Sequence, residues 1–240
     1  MIYRYDGSFS GFLTVIFYGY PFLLDLDIRT DDGAMTFFES ERFIHSEEDK
    51  AERVRKSLIE NFTYDVYRDI IFVFHSFEED KDRVLGRTIR QLYDEGPRFL
   101  NSLDPSALAF QRYLKRVRRE LHSYKGFLRL KEIQDGYLLG ELEPENDLLP
   151  LLIDHFLHRL PEEKWILFDR KRYYCARHVH GVVDFFIPEA THMKETEKER
   201  YYQEAWKSFY DGVAIDERRS SKRMIQHMPK RYWKYLPEKD

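Results

Sequence analysis

One cysteine is too few for a disulfide framework or for a zinc or iron–sulfur centre held by cysteines, so Cys175 excludes both. It lies between Tyr174 and Ala176 in a strand-like run, and nothing nearby in sequence marks it as an activated nucleophile, so it reads as a buried structural thiol. Glycine is also scarce, at 11 of 240 residues. Gly86, Gly96 and Gly126 stand alone, Gly136 and Gly140 have the wrong spacing, and neither G-x-x-x-x-G-K nor G-x-G-x-x-G occurs. A G-x-S-x-G elbow and a kinase signature are missing as well, which weighs against the common enzyme classes without excluding an unfamiliar one. No long apolar run exists: Phe12 to Leu26 is broken by Tyr, Gly, Pro and Asp and cannot span a bilayer. The start, Met1-Ile2-Tyr3-Arg4, lacks the order of charge, apolar core and small-residue cleavage site that marks export, so the cytoplasm is the expected compartment. Finally, there is no excess of positive charge. A net −4 argues against a protein that coats nucleic acid over its whole surface, while leaving room for a local basic patch.

What is present is a chain rich in rings. Hydrophobic residues make up 42% and aromatics 16%, enough for a Phe- and Tyr-rich core, and 240 residues suffice for one large domain or two small ones. Tyr3 and Tyr5 open a short strand; Asp6-Gly7-Ser8 turns, and Ser8 caps a helix through Phe12, Leu13, Ile16 and Phe17 that ends or kinks at Pro21. Residues 29–47 show no period and read as a connection with a short strand near Met35 to Phe38. Helical patterns cover Ala51–Asn61, Val66–Phe77 and Val84–Tyr93 and break at Gly96-Pro97. Asp104-Pro105 starts a helix with Phe110, Leu114, Val117 and Leu121 on one stripe, and Gly126 is placed to stop it.

The clearest β signal is Phe127–Ile133 and Tyr137–Leu142 flanking Asp135-Gly136, a pair suited to a tight hairpin turn. Asn146 or Asp147 is expected to cap a helix with Leu149, Leu152, Ile153, Phe156 and Leu160 inward, closed by Pro161. Trp165–Phe168, Tyr173–His178 and Val182–Ile187 read as three further strands, followed by a helix from Lys194 to Ala214 and a basic tail. The expected class is α+β: a largely helical N-terminal half, then a mainly antiparallel β-β-α-β-β-β unit and a C-terminal helix. It is read as a single domain over 1–240, divisible into a helical part, 1–125, and an α+β part with the basic tail, 126–240.

Chemistry can be sought in four places. The tail carries Arg218, Arg219, Lys222, Arg223, Lys230, Arg231 and Lys234 with no acid before Glu238, and Tyr232, Trp233 and Tyr235 interleave with the last cations. Cations neutralise phosphates and rings stack on exposed bases, so Arg218, Arg219, Lys222, Arg223, Lys230, Arg231, Tyr232, Trp233 and Lys234 form the candidate nucleic-acid surface. The alternative, that the rings dock the tail on the body while the cations are solvated, stays open at this point. Arg112, Lys115, Arg116 and Arg119 share a helix face opposite the apolar stripe, ordinarily a solvated face. His155 and His158 are three apart on a helix, and His178 and His180 alternate on a strand; without a matched third ligand these pairs read as structural or surface histidines, and no metal or cofactor is expected. Asp169, His178, His180, Asp184 and Glu195, with His192, are the only candidates for acid–base chemistry, grouped in sequence but not thereby in space.

Three blocks together resemble a known family: Tyr5-Asp6-Gly7-Ser8-Phe9 with Gly11-Phe12-Leu13; Gly136-Tyr137 through Glu143-Pro144, Asp147 to Leu152, His155-Phe156, Arg159-Leu160-Pro161, Trp165 and Asp169; and Trp206, Ile215, Glu217-Arg218-Arg219 and Met228 to Lys234 with Leu236-Pro237-Glu238. The resemblance is to a bacterial family of unknown function associated with DNA metabolism and DNA repair. Its members are typically encoded beside a radical-SAM protein of DNA modification or repair, and some are fused to a uracil-DNA glycosylase-like module. The resemblance implies an accessory protein that binds DNA and acts with a radical-SAM partner, and it brings no active site with it. Two alternatives are carried beside it: a lesion- or base-processing hydrolase, and a protein-binding adaptor that does not touch nucleic acid.

Overall fold

The computed structural model describes residues 1–30, 41–189, 194–213, 225 and 228–237. The chain forms two compact units, Met1–Arg119 and Glu120–Asp240, and the architecture is α+β.

In the first unit, β1 (Ile2–Tyr5) lies between β2 (Asp27–Thr30) and β3 (Glu41–Phe43), and both neighbours run parallel to it. Parallel strands need a crossover, and α1 (Phe9–Gly19) supplies the one between β1 and β2. Ser8 starts α1 by accepting from the Gly11 amide at 2.9 Å. The chain tightens into a single turn of 3-10 helix over Tyr20–Phe22, where Pro21 cannot continue the ladder. The two flanking strands differ from the expected connection over 29–47: they are three and four residues long, and Ile28 is their one buried residue. Two-residue alternation has no room to appear in such segments. The strand expected near Met35–Phe38 lies outside the described residues.

Helices α2 (Glu48–Asn61), α3 (Tyr64–Phe74), α4 (Lys81–Glu95) and the first turns of α5 (Pro105–Phe127) complete the unit. Thr63 caps α3 through the Val66 amide at 3.2 Å, and Gly96, at φ 77°, lets the chain turn out of α4. Phe12, Leu58, Ile70, Phe74, Leu85, Ile89 and Phe110 meet in one core, while Phe77, expected at the end of the second helix, lies beyond α3, which stops at Phe74, and is exposed. Asp104 caps α5 by accepting from the Ser106 amide at 2.7 Å.

One polar pair is sealed in this core. Tyr5 donates its hydroxyl to Asp82 at 2.9 Å, both side chains are buried, and the second Asp82 oxygen has no hydrogen-bond partner. Burial raises the Asp82 pKa, against the pull of Lys81 and the Tyr5 hydroxyl. A carboxyl whose folded pKa lies above its unfolded value binds its proton more tightly when folded. Stability is therefore greatest below the unfolded pKa and declines as pH rises through the folded one. Asp82→Asn is expected to raise the melting temperature at pH 7, with the gain shrinking toward pH 4. Calorimetric melts at both pH values check this, and an equal or negative shift at both would remove the buried-charge explanation.

In the second unit, β4 (Leu130–Ile133), β5 (Tyr137–Leu142), β6 (Trp165–Asp169), β7 (Tyr174–Val179) and β8 (Val182–Phe186) form a sheet in sequence order. All neighbours are antiparallel except β5 and β6, which are parallel and joined by α6 (Leu149–Arg159). The β4–β5 hairpin turns at Asp135 and Gly136, with φ of 65° and 72°, the left-handed pair expected from that dipeptide. Helix α5 runs through Gly126 and ends at Phe127, so β4 starts three residues later than the apolar run suggests. At the start of α6 the cap position is held by Leu148 without a side-chain bond. Neither expected residue stands there: Asn146 donates to Glu120, and Asp147 accepts from the Tyr174 hydroxyl. Last comes α7 (Glu197–Val213), then a short 3-10 segment over Lys230–Tyr235. Among the described residues no helix is long and apolar enough to cross a membrane.

Candidate functional site

The described part of the tail is docked. Tyr232 is buried with its ring 5.1 Å from that of Tyr124 and 5.3 Å from that of Phe127, and Leu236 is buried beside it in sequence. Arg231 is paired with Glu145 at 3.4 Å and Glu120 at 3.8 Å, and Lys234 is paired with Glu143. The Lys234 ammonium holds the Glu143 carboxyl below the usual range. Trp233 is half-buried and donates its indole N–H to the Met228 carbonyl at 2.9 Å. Lys230 alone of these cations is exposed without an ion pair, its ammonium 5.9 Å from the Trp233 ring centre. For this half of the tail the open alternative, rings seated on the body, is the arrangement present, although the cations are ion-paired rather than merely solvated. Arg218, Arg219, Lys222 and Arg223 lie outside the described residues.

The anchor beneath this arrangement is Glu120, a buried carboxylate that sequence reasoning passes over as one more polar position on a helix. It accepts from the Glu145 amide at 2.9 Å, the Asn146 amide at 3.0 Å and the Asn146 side chain at 2.6 Å, and it faces Arg231. A buried carboxylate needs such donors.

The strand register separates the acid–base candidates. Asp169 and His178 share a face of the sheet, but His178 pairs with Trp165, four residues back from Asp169, which puts them about 13 Å apart along the strand direction. Asp184 pairs with Arg177 and lies on the opposite face. Glu195 bridges to Ile133 on β4, at the far edge of the sheet from β8. His180 does not continue β7 as expected: with Gly181 it makes a two-residue turn, at φ 50° and 81°. The His-Gly pair is the sequence signal that could have placed it. His192 is outside the described residues.

Asp169, His178, Asp184 and Glu195 each have a structural partner. Asp169 is fully buried and accepts from the Lys171 and Arg172 amides and the Arg172 guanidinium at 2.9 to 3.0 Å, while burial nevertheless raises its pKa. His178 stacks on Trp165, accepts from the Gly181 amide at Nε2 and so donates from Nδ1 to the Glu163 carbonyl at 2.8 Å; both ring nitrogens are engaged. Asp184 is bound by the Arg177 guanidinium at 2.8 and 3.1 Å, and Glu195 by Lys131 at 3.0 Å. Burial pushes the Cys175 thiol up to about 12, consistent with an inert side chain. On α6, His158 donates to the Asp154 carbonyl, and burial lowers the His155 pKa. No three metal-ligating side chains gather among the described residues. On α5, Arg116 is paired with Glu78 and Arg112 leans on the Tyr113 ring, whereas Lys115 is exposed and forms no ion pair.

The surface that stands out is α7, for which no function had been expected. Thr196 starts it by accepting from the Glu199 amide at 3.1 Å, and Glu199 in turn accepts from the Glu132 amide on β4 at 3.0 Å. No residue of α7 is buried. Tyr202, Trp206, Phe209 and Val213, spaced four, three and four apart, fall on one narrow stripe and are each 43% to 57% exposed. Tyr202 and Trp206 also border a cavity of about 390 Å³ with Leu130, Pro237, Arg129 and Lys131. That spacing was legible in the sequence, but the partial exposure of the stripe was not.

Comparison with protein families bears on the same stretch. The profile of a domain of unknown function, DUF4130, matches residues 79–238, more than half of the chain. The chain belongs to the DUF4130 family. The match takes in α4, α5 and the whole sheet of the second unit, and it includes both α7 and the Glu120-anchored tail of this DUF4130 protein. No curated protein matches the chain.

Proposed function

We propose that this DUF4130 protein is an accessory protein of DNA repair or modification that works while docked, through α7, on a protein partner, the radical-SAM protein implied by the family resemblance. The observation that carries the reading is the α7 stripe. A 17-residue helix is marginal by itself in water, and the stripe on this one leaves about half of each apolar side chain open to solvent although its start is tied to β4. Aromatic anchors at helical spacing are what a partner's groove takes up. The nucleic-acid part of the reading rests on the family likeness, on the cations at 218, 219, 222 and 223, and on Lys230. Arg231 and Lys234 contribute less, because the protein's own carboxylates already offset their charge. The separation of Asp169, His178, Asp184 and Glu195 removes the support the hydrolase alternative drew from their grouping.

Trp206→Ala combined with Phe209→Ala alters no buried residue, so the fold should melt as the parent does. Co-purification with the radical-SAM partner should fall at least about tenfold, the loss of a typical aromatic hot spot. A parent chain that never associates with that partner would sink the docking claim. DNA binding is read separately, by titrating single-stranded and duplex DNA across salt, alone and with the partner. Phosphate contacts predict log affinity falling linearly with log salt. If neither DNA is bound in either state, the nucleic-acid part is wrong.

A further inference from the structure

We infer that a groove on the first unit, between α1 and α2, is a binding site for a single unpaired nucleotide, with the base among three aromatic rings and the phosphate on Arg53. The choice of ligand rests on the nucleic-acid part of the reading above; the site itself comes from separate observations. The groove encloses about 350 Å³, within the range of small-ligand sites, and Phe17, Tyr20, Tyr93, Val54, Ser57 and Arg53 are among its lining residues. Its three rings are half-buried, each showing part of its surface to the groove. Tyr20 and Tyr93 meet edge to face at 5.7 Å, which holds both in place without a ligand.

The polar groups are few and suit an anion on a planar body. Arg53 is exposed, its guanidinium carbon is 5.1 Å from the Phe17 ring centre, and it has no ion pair. Around it the other cations are engaged: Lys50 with Asp49 at 2.7 Å and Arg90 with Asp94 at 3.2 Å. Arg53 is thus the cation of this groove left to meet an incoming phosphate, and its planar fork matches phosphate oxygens. At the inner wall the Ser57 and Tyr93 hydroxyls lie 2.6 Å apart. Whichever of them donates in that bond, the other keeps a proton for a base carbonyl or ring nitrogen. Rings for stacking, a cation for the phosphate and a hydroxyl for the base edge are the parts by which single-stranded nucleic acid is held.

Calorimetric titration of the full chain with thymidine 5′-monophosphate, thymidine and inorganic phosphate tests this. The monophosphate should bind more tightly than either fragment. Arg53→Ala should weaken the monophosphate about tenfold and leave thymidine unchanged, while Phe17→Leu, which keeps an apolar side chain, should weaken both about tenfold through lost stacking. Unchanged melting of the two variants guards against misfolding. No heat with the monophosphate at millimolar concentration, equal binding of phosphate alone, or indifference to both substitutions would each overturn the assignment. If a single-stranded oligonucleotide binds and neither substitution matters, this site is refuted while the accessory reading stands.

Discussion

Glu120→Ala is expected to destabilise the second unit by about 3–5 kcal/mol, as removal of one partner from a buried charged cluster generally does. Three donors would lose their acceptor at once, the Glu145 and Asn146 amides and the Asn146 side chain, while Arg231 would lose one of its two carboxylates. Unsatisfied buried donors cost more than the hydrogen bonds themselves contribute. Glu120→Gln sharpens the expectation: it keeps the shape but aims an NH2 group at donors, so it should recover only part of the loss. Urea unfolding measures both, and protease susceptibility near Lys230–Leu236 should rise in the alanine variant as the tail loosens. A loss below about 1 kcal/mol, the scale of an ordinary surface contact, would show that the tail is held by Tyr232 and Leu236 alone.

How far such features can be read from sequence depends on the range of the forces behind them. The Asp135-Gly136 hairpin, the Asp104 cap and the Ser8 cap were legible, because each is decided within a few residues by backbone sterics or one hydrogen bond. The stripe on α5 was legible for a similar reason: Phe110, Leu114, Val117 and Leu121 repeat at the helical period and all are buried. The strands flanking β1 were not, since β2 and β3 exist by pairing across 25 and 39 positions rather than by any local pattern. The tail illustrates the same divide. Its charges and rings could be counted, but the neutralising carboxylates sit far away in sequence, with Glu143 and Lys234 separated by 91 positions. Composition suggested a surface for a polyanion; three-dimensional pairing turned its last turn into a clasp. The candidate acid–base residues are spread apart by strand register, which no sequence spacing encodes when the groups stand on different strands.

Asp169→Ala should be the second most damaging substitution, about 3 kcal/mol, and it separates a structural carboxylate from a catalytic one. The side chain is fully buried at the end of β6, and its acceptors close the turn to β7 by taking the Lys171 and Arg172 amides, with Tyr173 then held at φ 58°. Alanine supplies no acceptor, so both amides and the Arg172 guanidinium lose a partner, and a non-glycine residue in the left-handed region loses the turn that holds it there. Asp169→Asn keeps one acceptor oxygen and removes the charge that burial disfavours. If the role is structural, the asparagine variant should recover most of the stability. Chemical unfolding of the two variants beside the parent reads this directly. A catalytic carboxylate predicts the reverse pattern, with both variants folded as stably as the parent. That outcome would return Asp169 to the list of groups able to act on a substrate, whatever its distance from His178.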